Sequence, residues 1–329
     1  MSLNRPKVSV VIPNYNHALY LPKRIDSVLN QTFSDIEIIL LDDCSLDNSS
    51  EIIKNYAALD KRIQPVFNTK NSGSVFKQWE KGLSLAKGEY VWIAESDDFA
   101  ELDFLSTLIP LLDNDESVAF AYSDSRIVNE KGEPIGKISD IKERIFKTDY
   151  WDHNYIAEGK TELRRFLSLQ CTVNNASAVL FRRSSIEAAG GVDTSFRYTG
   201  DWMMYIKLSL LGKIAYKAAC LNNYREHGAN ASKASEANGN QLYERQKCFA
   251  YVYQSSALDN KSRKTMLAQS SNEYIKLVYL VVKERRQPLR LMKMMGNLIK
   301  ISPAYYALVQ YHSLRQVQYR AFRGINLFD

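Results

Sequence analysis

The feature that most restricts this chain is a repeated change of hydrophobic period over its first 123 residues. Short β-branched or aromatic runs alternate with segments whose apolar residues recur at helical spacing. The runs are VSVVI (Val8 to Ile12), IEIILL (Ile36 to Leu41), IQPVF (Ile63 to Phe67), EYVWIA (Glu89 to Ala94) and VAFAYS (Val118 to Ser123). Between them Ala18 to Gln31, Ser45 to Tyr56, Val75 to Ala86 and Phe104 to Leu112 read as helices, the second capped by Ser45 or Asp47. An almost unbroken apolar run marks a strand buried on both faces, and strand–helix alternation with short links brings successive strands parallel. The expectation is an α/β fold with a mostly parallel sheet flanked by helices. Pro65 cannot donate to a ladder, which puts the third run at an edge or a strand end.

Such a sheet binds ligands beyond the carboxyl ends of its strands. Three polar clusters sit there: Pro13-Asn14-Tyr15-Asn16, Asp42-Asp43 and Glu95-Ser96-Asp97-Asp98. Carboxylates packed as closely as Glu95, Asp97 and Asp98 disfavour one another's ionised form, and a divalent cation removes that penalty. One of these acids would also suffice as a helix cap. Asp43 is placed either to accept hydrogen bonds from a base or ribose, or to start an Asx turn. Gly73 permits close backbone approach to a ligand and Lys77 can face a phosphate. The glycines at 73, 82 and 88 form neither GxGxxG nor GxxxxGK[ST], so neither a dehydrogenase nor a P-loop ATPase is supported. Asp201, opening a helix after RYTG, is a cap or a general base. The run YREH, Tyr224 to His227, is a phosphate contact or a solvated loop.

Beyond Ser123 the pattern loosens. Arg126 to Gly136 reads as a hairpin with Lys131-Gly132 at its turn, and residues 137 to 160 show no period. Ser177 to Arg183 and Lys213 to Ala219 read as strands, Trp202 to Leu211 as a helix, and the chain from about Asn240 as helices. A net charge of +6 is too mild to suggest nucleic acid. Four cysteines without a CxxC pair suit a reduced, cytoplasmic protein, and neither a signal peptide nor a membrane span is visible. From Val282 to Asp329 nine Lys or Arg stand against two acids, beside Leu289, Leu291, Met292, Met294, Met295 and Leu298. That segment suits either an anionic membrane surface or packing on the catalytic domain or a second subunit, a homodimer included.

Taken in order, VSVVIPNYN, LLDDCSLDNS, NSG with KGLSLAKGEYVWIAESDD, SAVLFRR, GDW and YREH resemble the motifs of family 2 inverting glycosyltransferases of the GT-A fold, over about residues 7 to 230. The resemblance implies a GT-A domain over 1–230, divided into a nucleotide-binding half (1–123) and an acceptor half (124–230), with a helical extension over 231–329. It implies that Pro13, Tyr15, Asn16, Asn71, Gly73, Lys77, Asp97 and His227 hold the nucleotide sugar and that Asp43 reads the base. Asp97, Asp98 and Glu95 stand at the motif that binds Mn2+ or Mg2+, with Glu95 where many members have Asp. Asp201 matches the catalytic base, with Gly200 where an acid is frequent.

The implied partners are a nucleotide-diphosphate sugar and a glycan or lipid-linked acceptor, and the implied place is the cytoplasm or the inner face of the cell membrane. Trp151, His153, Asn174, Asn175 and Trp202 are candidates for the acceptor side. A sugar nucleotidyltransferase would carry a glycine-rich basic motif where this chain has PNYNHALYL. An inactive scaffold would have lost Asp201 or the acid cluster, and a glycoside hydrolase would not pair its two acids with a strand-end nucleotide loop.

Overall fold

The computed structural model describes residues 5–173, 175–228, 239–284 and 287–323. Strands β1 (Val8–Asn14), β2 (Ile36–Asp42), β3 (Ile63–Phe67) and β4 (Tyr90–Ile93) form a parallel block in the order β3-β2-β1-β4. Helices α1 (Leu21–Leu29), α2 (Ser49–Leu59) and α3 (Val75–Leu85) make its crossovers. β3, with Pro65, is the edge, as its proline requires. Alternate residues of the strands feed two cores. Val11, Ile39, Leu41, Val91 and Ile93 face the core shared with α3, whereas Val10, Ile12, Ile38, Leu40 and Trp92 face the core beneath α1.

The second half of the sheet is mixed. After β5 (Phe99–Ala100) and α4 (Phe104–Asp113) come β6 (Val118–Val128) and β7 (Pro134–Lys137), the expected hairpin. The segment without a period holds α5 (Ile138–Phe146) and β8 (Tyr155–Glu158), followed by α6 (Gly159–Glu162). Ile141 and Ile145 of α5 are exposed while Ser139 and Lys142 are buried, and Trp151 enters an aromatic core, so burial here does not follow the apolar residues. β9 (Val179–Arg182) lies antiparallel between β4 and β6. After α7 (Arg183–Ala188) and α8 (Gly200–Leu211), β10 (Lys213–Arg225) runs beside β6 with register shifts near Cys220. The expected short strand from Lys213 is therefore a long one that carries the chain up to His227.

The extension comprises α9 (Asn240–Gln254), α10 (Asn260–Val278), α11 (Pro288–Ile301) and α12 (Pro303–Arg323). Cys248, Phe249, Tyr274 and Tyr305 share one continuous core with Trp202 and Phe181, so the extension is packed onto the sheet domain. The proposed boundary at 230 lies outside the described residues. No described helix is long and apolar enough to cross a membrane.

Candidate active site

The carboxyl ends of β1 and β2 are tied together. Asn14 Nδ2 donates to Asp42 Oδ1 at 2.9 Å, and Ser45 Oγ donates to the same oxygen at 2.6 Å. Asn16, in the left-handed region at φ 56°, accepts from Leu46 N with its Oδ1 at 2.7 Å. Asp47 bonds Ala18 N and Ser49 N, at 2.8 and 3.0 Å. These loop ties explain why α1 and α2 begin later than their sequence period suggests. Pro13 is buried in β1, paired with Leu41, while Tyr15 is 43% exposed at the mouth.

Asp43 is 4% exposed, and its carboxylate is already occupied. Oδ1 accepts from Asn68 Nδ2 (2.6 Å), Ser72 N (2.8 Å) and Gln78 Nε2 (2.9 Å), and Oδ2 accepts from Ser72 Oγ (2.7 Å). A carboxylate offers about four lone-pair sites. Asp43 therefore organises the loop leading to α3. Asn71 Nδ2 donates to the Asp43 carbonyl at 3.0 Å, and its Oδ1 accepts from Gly73 N at 2.7 Å, with Gly73 at φ +71°. Lys77 Nζ lies 3.3 Å from Ser72 O and is solvent-exposed.

The three acids after β4 separate into three environments. Asp98 is 2% exposed. Its oxygens accept from Arg225 N and Asn175 Nδ2, each at 2.9 Å, and the fully buried Arg24 lies 3.9 Å away. Burial and the neighbouring Asp97 charge push its carboxyl up to about 6. Glu95 accepts from Trp79 Nε1 at 2.7 Å, and burial followed by the Asp97 charge pushes it up to about 8. Asp97 alone of the three joins other ligand types. His227 Nε2 is 3.0 Å from its Oδ2, and one ligand atom each from His17, Asp97 and His227 lie within 4.8 Å of one another. Burial opposes ionisation of Asp97, but the His227 hydrogen bond and the imidazole charges outweigh it and hold its pKa low. His17 Nδ1 is 2.8 Å from Ser96 Oγ, and burial lowers its proton affinity. Asp98 anchors the turn and Glu95 braces α3, so the ligand-type atoms grouped with Asp97 here are those of His17 and His227.

Asp201 lies in the first turn of α8 and accepts from Trp202 N through Oδ1 at 2.8 Å. It keeps some exposed surface, yet the surrounding protein pushes its carboxyl up to about 6, chiefly by burial. A Cβ at Gly200 would come within 2.9 Å of the Phe76 ring. Phe76 packs on Trp79, which holds Glu95, so the turn bearing Asp201 is joined through α3 to the acid cluster.

The sequence model of the glycosyl transferase family 2 matches residues 9–190, more than half of the 329-residue chain. The chain belongs to glycosyl transferase family 2. It is 42% identical over 101 residues to the glycosyltransferase GlyG of Streptococcus pneumoniae, covering 31% of this chain and 33% of that protein. It is 32% identical over 145 residues to the putative teichuronic acid biosynthesis glycosyltransferase TuaG of Bacillus subtilis, covering 44% and 57%. The chain thus spans a third to somewhat over half of the length of these relatives. Its fold matches that of S. aureus TarS 1-349, solved in complex with UDP-GlcNAc, with a TM-score of 0.71 at 18% identity over 97% of this chain and 92% of that one. The fold is GT-A.

In this family 2 fold the acceptor-side candidates divide. Trp151 is 1% exposed and donates to Tyr122 Oη at 3.1 Å; Trp202 is equally buried and donates to Leu167 O at 2.9 Å. Both side chains lie in the core. Asn175 supports Asp98 instead, and its Oδ1 accepts from Ser177 N at 2.7 Å. His153 is exposed, 4.0 Å from Asp149. Asn174 lies outside the described residues. Sequence reasoning passed over His17, whose signal was its place directly after Asn16 in the strand-end loop. It also passed over Arg24, Ser72, Gln78 and Glu244, which carry no local signal. A cleft of about 330 Å3 opens at the other end of β4 beside Glu89, Asp113 and Arg182. Of its acids, Glu89 and Asp113 are paired with Lys7 and Arg182.

Proposed function

We propose that the chain is a metal-dependent inverting glycosyltransferase that moves a sugar from a nucleoside-diphosphate donor to a hydroxyl of a glycan or lipid-linked acceptor of the cell envelope. The observation that carries this reading is the His17–Asp97–His227 cluster at the carboxyl ends of β1, β4 and β10, together with Asp201, held near pKa 6 on a turn that rests on Phe76 of α3. Two imidazoles and a carboxylate fit a divalent cation. The imidazole nitrogens favour Mn2+ over Mg2+, which prefers oxygen alone. When bound, such an ion offsets the charge that develops on a leaving diphosphate. Asp97, His17 and His227 would hold it. Tyr15, Asn16, Asn71 and Gly73 border the nucleotide, with Lys77 at its rim.

Asp201 accepts the proton of the acceptor hydroxyl, and the oxygen attacks the anomeric carbon opposite the nucleotide. A carboxylate near pKa 6 remains ionised at neutral pH, yet binds a proton more strongly than an ordinary carboxylate. Burial gives Asp201 that character, outweighing the hydrogen bond from Trp202 N, which favours the ionised form. The relative TuaG, named for teichuronic acid biosynthesis, supports the acceptor class.

Helix α11 supports a membrane-surface partner. Leu289, Met292 and Ile299 project to solvent along one arc, with Lys293 and Lys300 beside them. No acid occurs from residue 285 to residue 328. An apolar strip edged by lysines suits an anionic lipid interface.

The test is turnover of UDP-, dTDP- and GDP-sugars in Mn2+, with early products observed by NMR. Release of nucleoside diphosphate with an inverted anomeric centre, lost in Asp201→Asn, supports the reading. Retained configuration, or an Asp201→Asn variant as active as the parent, overturns it.

A further inference from the structure

We propose that Glu244, on the first helix of the C-terminal extension, is a positioning residue that sets the place of Asp201, so that the extension completes the active site. The inference rests on the reading of Asp201 as general base.

Arg197, Tyr198 and Thr199 lead into α8. Backbone N–H groups at a helix start have no intrahelical partner, and Thr199 makes no side-chain cap bond here. A carboxylate distant in sequence instead holds the amides that lead into the helix. Glu244 Oε1 accepts from Arg197 N at 2.8 Å, and Oε2 accepts from Tyr198 N at 2.8 Å, Thr199 N at 2.9 Å and Thr199 Oγ1 at 3.4 Å. Three main-chain donors on one carboxylate make charge-assisted bonds, and an anion at a helix N-terminus also satisfies the helix dipole. Glu244 is 7% exposed, so water competes little for these bonds.

Neighbouring residues of α9 extend the clamp past Asp201. Cys248 Sγ lies 4.0 Å from Thr199 O. Phe249 meets Trp202 edge-on at 5.4 Å between centroids, and the Arg245 guanidinium lies 5.1 Å over the Trp202 ring. Arg245 is itself fixed by Glu273 of α10 at 2.5 and 2.6 Å. The residues on both sides of Asp201 are thus held by the extension, while Gly200 rests on Phe76 of α3. A general base needs placement to within roughly half an ångström, and a clamp of fixed amides supplies it.

The test compares full-length Glu244→Gln and Glu244→Ala with the parent. Three quantities are read: hydrogen exchange at the amides of residues 197–199, thermal stabilisation by UDP and GDP with Mn2+, and hydrolysis of UDP-GlcNAc and GDP-mannose. Expected are at least tenfold faster exchange at those amides, unchanged nucleotide stabilisation, and at least a tenfold loss of kcat at constant donor KM. Gln, which keeps one acceptor oxygen, falls between parent and Ala, and carries the test alone if Ala does not fold. A fall in Tm with kcat per folded molecule unchanged would show a merely structural residue and overturn the proposal. Unchanged amide exchange also overturns it. A parent chain that hydrolyses no donor, with amides that still lose protection on substitution, would overturn the base assignment of Asp201 and the positioning role with it, leaving the clamp as geometry.

Discussion

At the scale of single residues, environment separates carboxylates that look alike in sequence. Asp97 and Asp98 are adjacent, yet one meets two imidazoles and the other Arg24, Asn175 and a backbone amide. Removing the Asp98 charge leaves the Arg24 guanidinium buried without its partner. Asp98→Ala should cost about 3 kcal/mol of stability in urea unfolding, a loss present without any ligand. Asp201 gives two opposite pH effects. Turnover falls as pH drops through about 6, because the protonated carboxyl is no base. Its folded pKa, about 6, lies above the ordinary 3.8, so its proton is held more tightly in the folded chain. The stability it contributes is therefore complete below about pH 4 and lost as pH rises through about 6. Asp201→Asn should gain about 2 kcal/mol at pH 7.5 and nothing near pH 4, the partial exposure of the carboxylate trimming the full linkage value. Equal stability of parent and variant at both pH values would contradict that.

At the scale of elements, the site is built where helices meet strand ends, and small residues decide how closely they meet. Gly200 lets α8 rest on Phe76, so Gly200→Ala should push the ring off Trp79, cost about 1–3 kcal/mol, and lower turnover more than nucleotide binding. Full activity with unchanged Tm would argue against this coupling. The first four strands and their helices were legible because each buried strand is a short apolar run, and Pro65 marked the edge correctly. The acid turn, Asp201 and His227 were legible as polar residues at strand or helix ends. Other features depend on contacts between distant segments. β9 reads as a strand, but nothing local says that it runs antiparallel between β4 and β6. Trp151 and Trp202 were candidates for the acceptor side, yet their indole N–H groups find partners inside the core. His17 gains its meaning only when β10 delivers His227 to the same place.

At the scale of the whole molecule, the sheet supplies the cluster and the helical extension braces the loop that carries Asp201, while α11 presents an apolar, basic strip outward. Cosedimentation with phosphatidylglycerol vesicles should exceed that with phosphatidylcholine, fall at high salt, and be lost in a Leu289→Glu, Met292→Glu double variant that keeps its Tm. Equal binding by that variant would argue against the strip, and a change in oligomeric state instead would assign it to a second copy. The central claim is that a metal-held nucleoside diphosphate binds at Asp97. It is tested most directly by thermal stabilisation with UDP, dTDP, GDP and CMP, each with and without Mn2+. One diphosphate at about 100 times its dissociation constant should add about 2.7 kcal/mol in the presence of Mn2+. The gain should vanish in Asp97→Ala and persist in Asp201→Asn. No stabilisation by any nucleotide, or a metal-dependent gain that survives Asp97→Ala, would contradict the account.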